Sequence, residues 1–158
     1  MLFRSLVEAL RQHSPPISVQ IDREAMQPGE LISAFMERLA ASDRVILVIS
    51  DKYLRSEYCM AELFQIYRRC RQDPERFHRC VLPLILPDAQ LDQGLAARLQ
   101  RAIHWQQEAK QLDSLVQTHL SAVGSVAFNK SRLIGEFARH TSDMLELLVD
   151  QRSEEHTS

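Results

Sequence analysis

Glycine is scarce in this 158-residue sequence, four residues in all. No G-x-G-x-x-G or Walker A pattern occurs, so there is no glycine-rich loop to cradle a phosphate. Cysteine is scarce as well. Cys59, Cys70 and Cys80 form an odd set with no C-x-x-C pair, which argues against a disulfide framework and a structural zinc site and points to a reducing, cytoplasmic compartment. H-E-x-x-H and G-x-S-x-G are missing, and His13, His78, His104, His119 and His140 have no ligand spacing, so no metal is expected. Nor is there a surplus of positive charge: 19 Lys and Arg stand against 21 Asp and Glu, a net charge of −2. With no basic excess to neutralise phosphates, nucleic acid is not an expected partner. Long apolar runs are absent too. Val45–Ile49 and Cys80–Leu82 fall far short of the roughly 20 residues that span a bilayer. The first ten residues carry Glu8 where a signal peptide has an unbroken apolar core, so no membrane partner is expected.

What remains is the mix of an ordinary globular domain, 45% hydrophobic and 25% charged, of a length that fits one domain. Leu2, Leu6, Val7 and Leu10 predict a helix over 2–11, stopped by Ser14-Pro15-Pro16. Ile17–Ile21 alternates as a strand. Asp22–Gly29 is a loop, punctuated by Pro28-Gly29, and Glu30–Ala41 is an amphipathic helix. Val45–Ile49 is a continuous β-branched run, the pattern of a buried parallel strand. Ser50–Arg55 reads as a loop, with Ser56 the N-cap of a helix to about residue 71. Arg79–Leu86 is a second buried strand, closed by Pro87-Asp88. A short helix is expected over Leu91–Gln100, an extended piece over Ala102–Trp105, and helices over Gln106–Ala122 and Lys130–Val149 with a loop bounded by Gly124 and Asn129. The polar tail Arg152–Ser158 reads like a translated sequencing adapter and is expected to lie outside the domain, which then spans 1–151.

Strands alternating with helices imply parallel pairing through right-handed crossovers, hence an α/β, doubly wound sheet. Such sheets bind ligands beyond the carboxyl ends of their strands. That directs attention to Asp22–Gly29, Ser50–Arg55 and the first turns after Ser56. Glu62 lies there, sharing a helix face with Tyr58, Cys59, Gln65 and Ile66. Two readings stand for it: a partly desolvated carboxylate at a cleft, or a surface glutamate favoured by the positive end of the helix dipole. Asp22 and Arg23 end the strand before them, and either hold ribose hydroxyls or a phosphate, or pair with each other. Ser50 is a candidate hydrogen-bond donor in the cleft, and Tyr53 is expected to pack under the loop. Cys59 is taken as a small hydrophobe, having no histidine partner nearby in sequence. Arg68, Arg69 and Arg71 suit the negative end of a helix, and Trp105 is expected in the core.

The run Pro28–Leu39, then Ser42–Leu63 with its Ser56, Tyr58, Cys59 and Glu62 series, together with Val81–Asp88 and Ile103–Trp105, resembles bacterial Toll/interleukin-1 receptor (TIR) domains over roughly residues 1–150. The resemblance implies a flavodoxin-like sheet of strand order B-A-C-D-E. Ile17–Ile21 corresponds to strand B, Val45–Ile49 to C, Arg79–Leu86 to D and Ala102–Trp105 to E. Strand A, the central strand, precedes the first helix in that family, so it is expected to fall outside this sequence. Active relatives cleave NAD between nicotinamide and ribose with a glutamate that matches Glu62, so NAD is implied as substrate and no prosthetic group is required. The aromatic residue four positions earlier, often Trp in such relatives, is Tyr58 here. Asp22, Arg23 and Ser50 would complete the NAD site. The loop after strand B, with its Pro28-Gly29, gates the cleft and mediates TIR–TIR association. A role in bacterial signalling or antiphage defence follows, with a sensor or effector domain elsewhere in the full-length protein. The alternative is a non-catalytic interaction scaffold built from the same surfaces.

Overall fold

The computed structural model describes residues 8, 9, 12, 44–70 and 72–157, with side chains up to residue 150. The chain divides into two units, Met1–Leu39 and Ala40–Ser158. In the first, Glu8 and Ala9 are helical and the Gln12 N–H donates to the Glu8 carbonyl at 3.0 Å, within the helix expected over 2–11. The strand expected over Ile17–Ile21, the loop Asp22–Gly29 and the helix Glu30–Ala41 lie outside the described residues.

The second unit opens with strand β1, Val45–Ile49. It is followed by a helical turn, α1 (Asp51–Arg55), where the sequence suggested a loop. The reason is a local cap. The Ser50 Oγ accepts the Tyr53 N–H at 3.0 Å, satisfying an N–H that would otherwise have no partner. Asp51 at the start and Arg55 at the end suit the helix dipole. Helix α2 (Glu57–Arg69) begins at Ser56, whose Oγ accepts the Cys59 N–H at 3.2 Å, the cap expected there. Helix α3 (Pro74–Cys80) has Asp73 as N-cap and Pro74 in its first turn, a favoured pairing because proline lacks an N–H that the first turn could not use. Strand β2 is therefore Val81–Ile85, shorter at both ends than the expected Arg79–Leu86, because Arg79 and Cys80 finish α3.

The two strands pair in parallel, with Val45 opposite Val81, Leu47 opposite Pro83 and Ile49 opposite Ile85. Among the described residues the sheet has these two strands. The parallel pair and its crossover helices belong to the expected flavodoxin-like α/β class. Beyond β2 comes a 3-10 turn, Pro87–Ala89. Gly94, at φ +105°, leads into helix α4 (Leu95–Thr118). This single helix replaces three expected pieces: the helix over Leu91–Gln100, the extended Ala102–Trp105 and the helix over Gln106–Ala122. Ala102 and Trp105 are buried while Ile103 and His104 between them are exposed. That is an i, i+3 face, which a helix presents to one side and a strand does not. A short 3-10 turn, Leu120–Ala122, leads to helix α5 (Ser125–Thr157). Asn129 is inside α5 rather than bounding a loop.

Helix α5 supplies much of the core. Ile134, Phe137, Ala138, Met144, Leu145 and Leu148 are buried among Met60, Leu63, Phe64, Phe77 and Trp105 of the facing helices. Phe137 meets Trp105 edge to face at 5.0 Å between centroids, and His140 stacks on Phe64 at 5.6 Å, geometries that the aromatic quadrupole favours. Among the described residues the one buried polar residue is Thr141, which donates its hydroxyl to the Phe137 carbonyl one turn earlier.

Candidate functional site

The carboxyl ends of both strands emerge at the same level. The Leu86 N–H donates to the Ile49 carbonyl at 2.8 Å, the last rung of the ladder. From there β1 turns through Ser50 into α1, and β2 turns into Pro87–Ala89. Helix α2 starts just beyond α1, so its first two turns belong to this end of the sheet, where ligands of parallel sheets bind.

Those two turns carry Tyr58, Cys59 and Glu62. Tyr58 is 60% exposed and Ile66 is fully buried. Glu62 lies between them on one helix face and is half-buried. Along that face Glu62 therefore stands one turn from an exposed tyrosine and one turn from a core isoleucine. Cys59 is half-buried rather than fully enclosed. Ser50 spends its Oγ on the cap of α1, so its first role here is structural. Tyr53 is half-buried. Asp22, Arg23, Pro28 and Gly29 lie outside the described residues; of the expected set, Ser50 is the cap between β1 and α1, and Tyr58 and Glu62 are in the first two turns of α2.

A charged network at the same end was not singled out from sequence. Arg101 of α4 donates to Asp51 at 2.7 Å and to the Ala89 carbonyl at 3.0 Å. Arg55 closes a second ion pair with Asp51 at 2.6 Å. Asp51 is held below the usual carboxylate range, first by the hydrogen bond from Arg101 and next by that from Arg55. Arg98, one turn before Arg101, donates to Glu146 at 2.6 Å and to the Leu91 carbonyl at 2.9 Å. Two arginines of α4 thereby pin the turns that follow both strands. The Trp105 indole adds a buried bond to the Leu54 carbonyl at 2.9 Å, satisfying a carbonyl at the end of α1. Asp51 had a sequence signal, an acid directly after a serine N-cap. Arg101 had none, since its partner lies fifty positions away.

The family model of the TIR domain matches residues 1–116. The chain belongs to the TIR domain family. No curated protein and no solved structure matches it. The family match covers every candidate residue of the site and ends within α4, so the TIR match stops short of α5. That helix nonetheless packs on the TIR portion between Ile134 and Leu148: Phe137 against Trp105, His140 against Phe64 and Tyr67, and the Leu147 carbonyl hydrogen-bonded to the His78 Nε2 at 3.1 Å. Among the described residues of this TIR domain, no helix is long and apolar enough to cross a membrane, and no cluster of three His, Cys, Asp or Glu could hold a metal ion.

Proposed function

We propose that this TIR domain cleaves NAD between nicotinamide and ribose, with Glu62 as the catalytic residue. The observation that carries the reading is the placement of Glu62. It is a half-buried carboxylate in the second turn of α2, at the carboxyl end of the sheet, one helical turn from an exposed tyrosine. The chemistry asks for such a group. As the bond to the cationic nicotinamide breaks, the electron pair leaves with the neutral ring and positive charge develops on the ribose. A carboxylate beside the sugar accepts hydrogen bonds from its hydroxyls and opposes that charge. Tyr58 offers a flat face on which an aromatic ring of the substrate stacks. Water captures the ribosyl carbon, giving ADP-ribose and a proton; capture by the adenine of the same molecule gives a cyclic product instead. Asp22, Arg23 and Ser50 are proposed to hold the ribose and phosphates, and Asp22–Gly29 with Pro28-Gly29 to carry self-association between TIR domains. The setting proposed is cytoplasmic signalling or defence in a bacterium.

Incubation with NAD and chromatographic detection of nicotinamide tests this. Glu62→Gln is expected to lower the rate about a hundredfold or more while leaving the circular dichroism spectrum and melting temperature unchanged. Rate per molecule is expected to rise with protein concentration, as self-association requires. A second reading, a non-catalytic TIR–TIR interaction module, is favoured by the exposure of Tyr58, an aromatic residue type enriched at protein interfaces. An inert wild-type chain that self-associates, and loses self-association on Tyr58→Ala, supports that reading and overturns the first.

A further inference from the structure

We propose that the tip joining α4 to α5 is a contact surface at which a second copy of this chain docks, tip to tip, across a two-fold axis. Four large apolar side chains stand out from this short stretch: Leu115 is 52% exposed, Leu120 57%, Val126 69% and Phe128 38%. Single exposed apolar residues are ordinary, but a group of them at one place marks an interaction site. The tip is held by its own backbone. The His119 N–H donates to the Leu115 carbonyl at 3.1 Å, the Ala122 N–H to the His119 carbonyl at 2.9 Å and the Phe128 N–H to the Gly124 carbonyl at 3.0 Å. A surface already held in shape loses little freedom on binding. Space is open at the turn itself, where no atom lies within 4 Å of the place a Cβ would take on Gly124.

Charge identifies the partner. Asp113 is the last charged residue before the tip and Lys130 the first after it, so residues 114–129 carry no Asp, Glu, Lys or Arg. A tip without charge has nothing with which to steer or fix an acidic or basic partner. It suits its own copy, because a two-fold contact sets each patch against itself and a charge near the axis would meet its like. The charges on the rim then choose the register. Asp113 on α4 and Lys130 and Arg132 on α5 are all exposed, and among the described residues none of the three is in an ion pair. Setting α4 of one copy beside α5 of the other brings Asp113 to Lys130 and Arg132 on both sides of the axis. Setting α4 beside α4 would bring Asp113 to Asp113. The tip is shorter than the roughly 20–30 residues a side of a stable interface, so the contact takes in this rim. The tip lies in the second unit and mostly beyond the family match, which ends at residue 116. The inference rests neither on the loop over 22–29 nor on NAD cleavage.

Sedimentation velocity of the full chain over a dilution series tests this. A closed monomer–dimer equilibrium is expected. Leu120→Asp combined with Val126→Asp, both at exposed positions, is expected to raise the dissociation constant at least about tenfold, the effect of losing a buried anchor, with the circular dichroism spectrum unchanged. Asp113→Lys alone is expected to weaken the dimer, and adding Lys130→Glu and Arg132→Glu to restore it, a rescue that damage to the fold would not give. Mixing isotope-labelled with unlabelled chains and coupling carboxylates to amines with a carbodiimide is expected to join Asp113 of one copy to Lys130 of the other. A wild-type chain that is monomeric at every concentration overturns the inference. So does a dimer that the Leu120 and Val126 substitutions leave intact, or a charge swap that fails to restore association, since either places the contact elsewhere. Binding to neutral phosphatidylcholine vesicles by a monomeric chain, lost in the same double variant, makes the occupant a lipid surface and overturns it too.

Discussion

The two halves of α4 live in different surroundings. From Leu95 to Trp105 the helix is bound into the domain: Ala102 and Trp105 are buried, Arg98 and Arg101 reach the turns after both strands, and the indole N–H reaches α1. From Gln106 to Thr118 only Val116 is buried, and Leu115 is 52% exposed. The hairpin end continues in this manner through Leu120, Val126 and Phe128, all exposed. One continuous helix is thus tied by side-chain hydrogen bonds to the turns after both strands over its first half, where Leu95, Leu99 and Ile103 still face solvent, and among the described residues has no such tie over its second. Helix continuity, being a matter of backbone hydrogen bonds, does not require uniform burial. Tertiary packing stabilises the first half, and the second relies on its neighbour α5 and on local propensity.

That contrast makes graded predictions. Trp105→Ala removes a buried ring that meets Phe137 edge to face and is expected to cost about 3–5 kcal/mol, read by chemical denaturation; a cost near zero would break the comparison at once. Trp105→Phe keeps an aromatic ring against Phe137 and leaves the Leu54 carbonyl without its donor, so about 1–3 kcal/mol is expected. Arg101→Gln is expected to let the Asp51 carboxyl rise toward its ordinary value of 3.8, followed by NMR titration. Because the folded state holds Asp51 below that value, its contribution is present above 3.8 and is lost as pH falls through the lowered value. The wild type should therefore lose stability more steeply in acid than the Arg101→Gln variant. Leu115→Ser, in the second half, is expected to change stability by no more than about 0.5 kcal/mol. A much larger loss would mean that this half is held by more than α5.

How much of this was legible in the sequence depended on whether the cause was local. Val45–Ile49 announces itself by five consecutive branched or leucine residues, and the Ser56 cap by residue type, and both are where they were expected. The caps at Ser50 and Asp73-Pro74 carry equally local signals, and weighing them would have turned one expected loop into α1 and given α3. Ala102–Trp105 is helical rather than extended because Ala102 and Trp105, at i and i+3, are buried while Ile103 and His104 are exposed, a pattern that four residues of sequence do not separate from a strand. At the site, Glu62 was legible as a face of α2 near the sheet end. The Asp51–Arg101 pair was not, because nothing in either neighbourhood encodes a partner fifty positions distant. Asp22, Arg23, Pro28 and Gly29 are tested by activity and association measurements on the whole chain.

Proline at position 83 has a consequence for the side of β2 that faces away from β1. Leu86 directs its N–H toward β1, and backbone groups alternate sides along a strand, so residues 82 and 84 point the same way and 83 points outward. Pro83 therefore costs the β1–β2 ladder nothing, since the missing N–H belongs to the other edge. A foreign strand approaching that edge finds no donor at 83, and the Val81 N–H is already given to the Phe77 carbonyl. Unprotected edges recruit neighbouring chains into aggregates, and an outward proline is one of the ways in which proteins blunt them. The same residue that lets β2 pair fully with β1 makes the side of β2 away from β1 a poor template for intermolecular pairing, and among the described residues that is the side on which no strand pairs with β2.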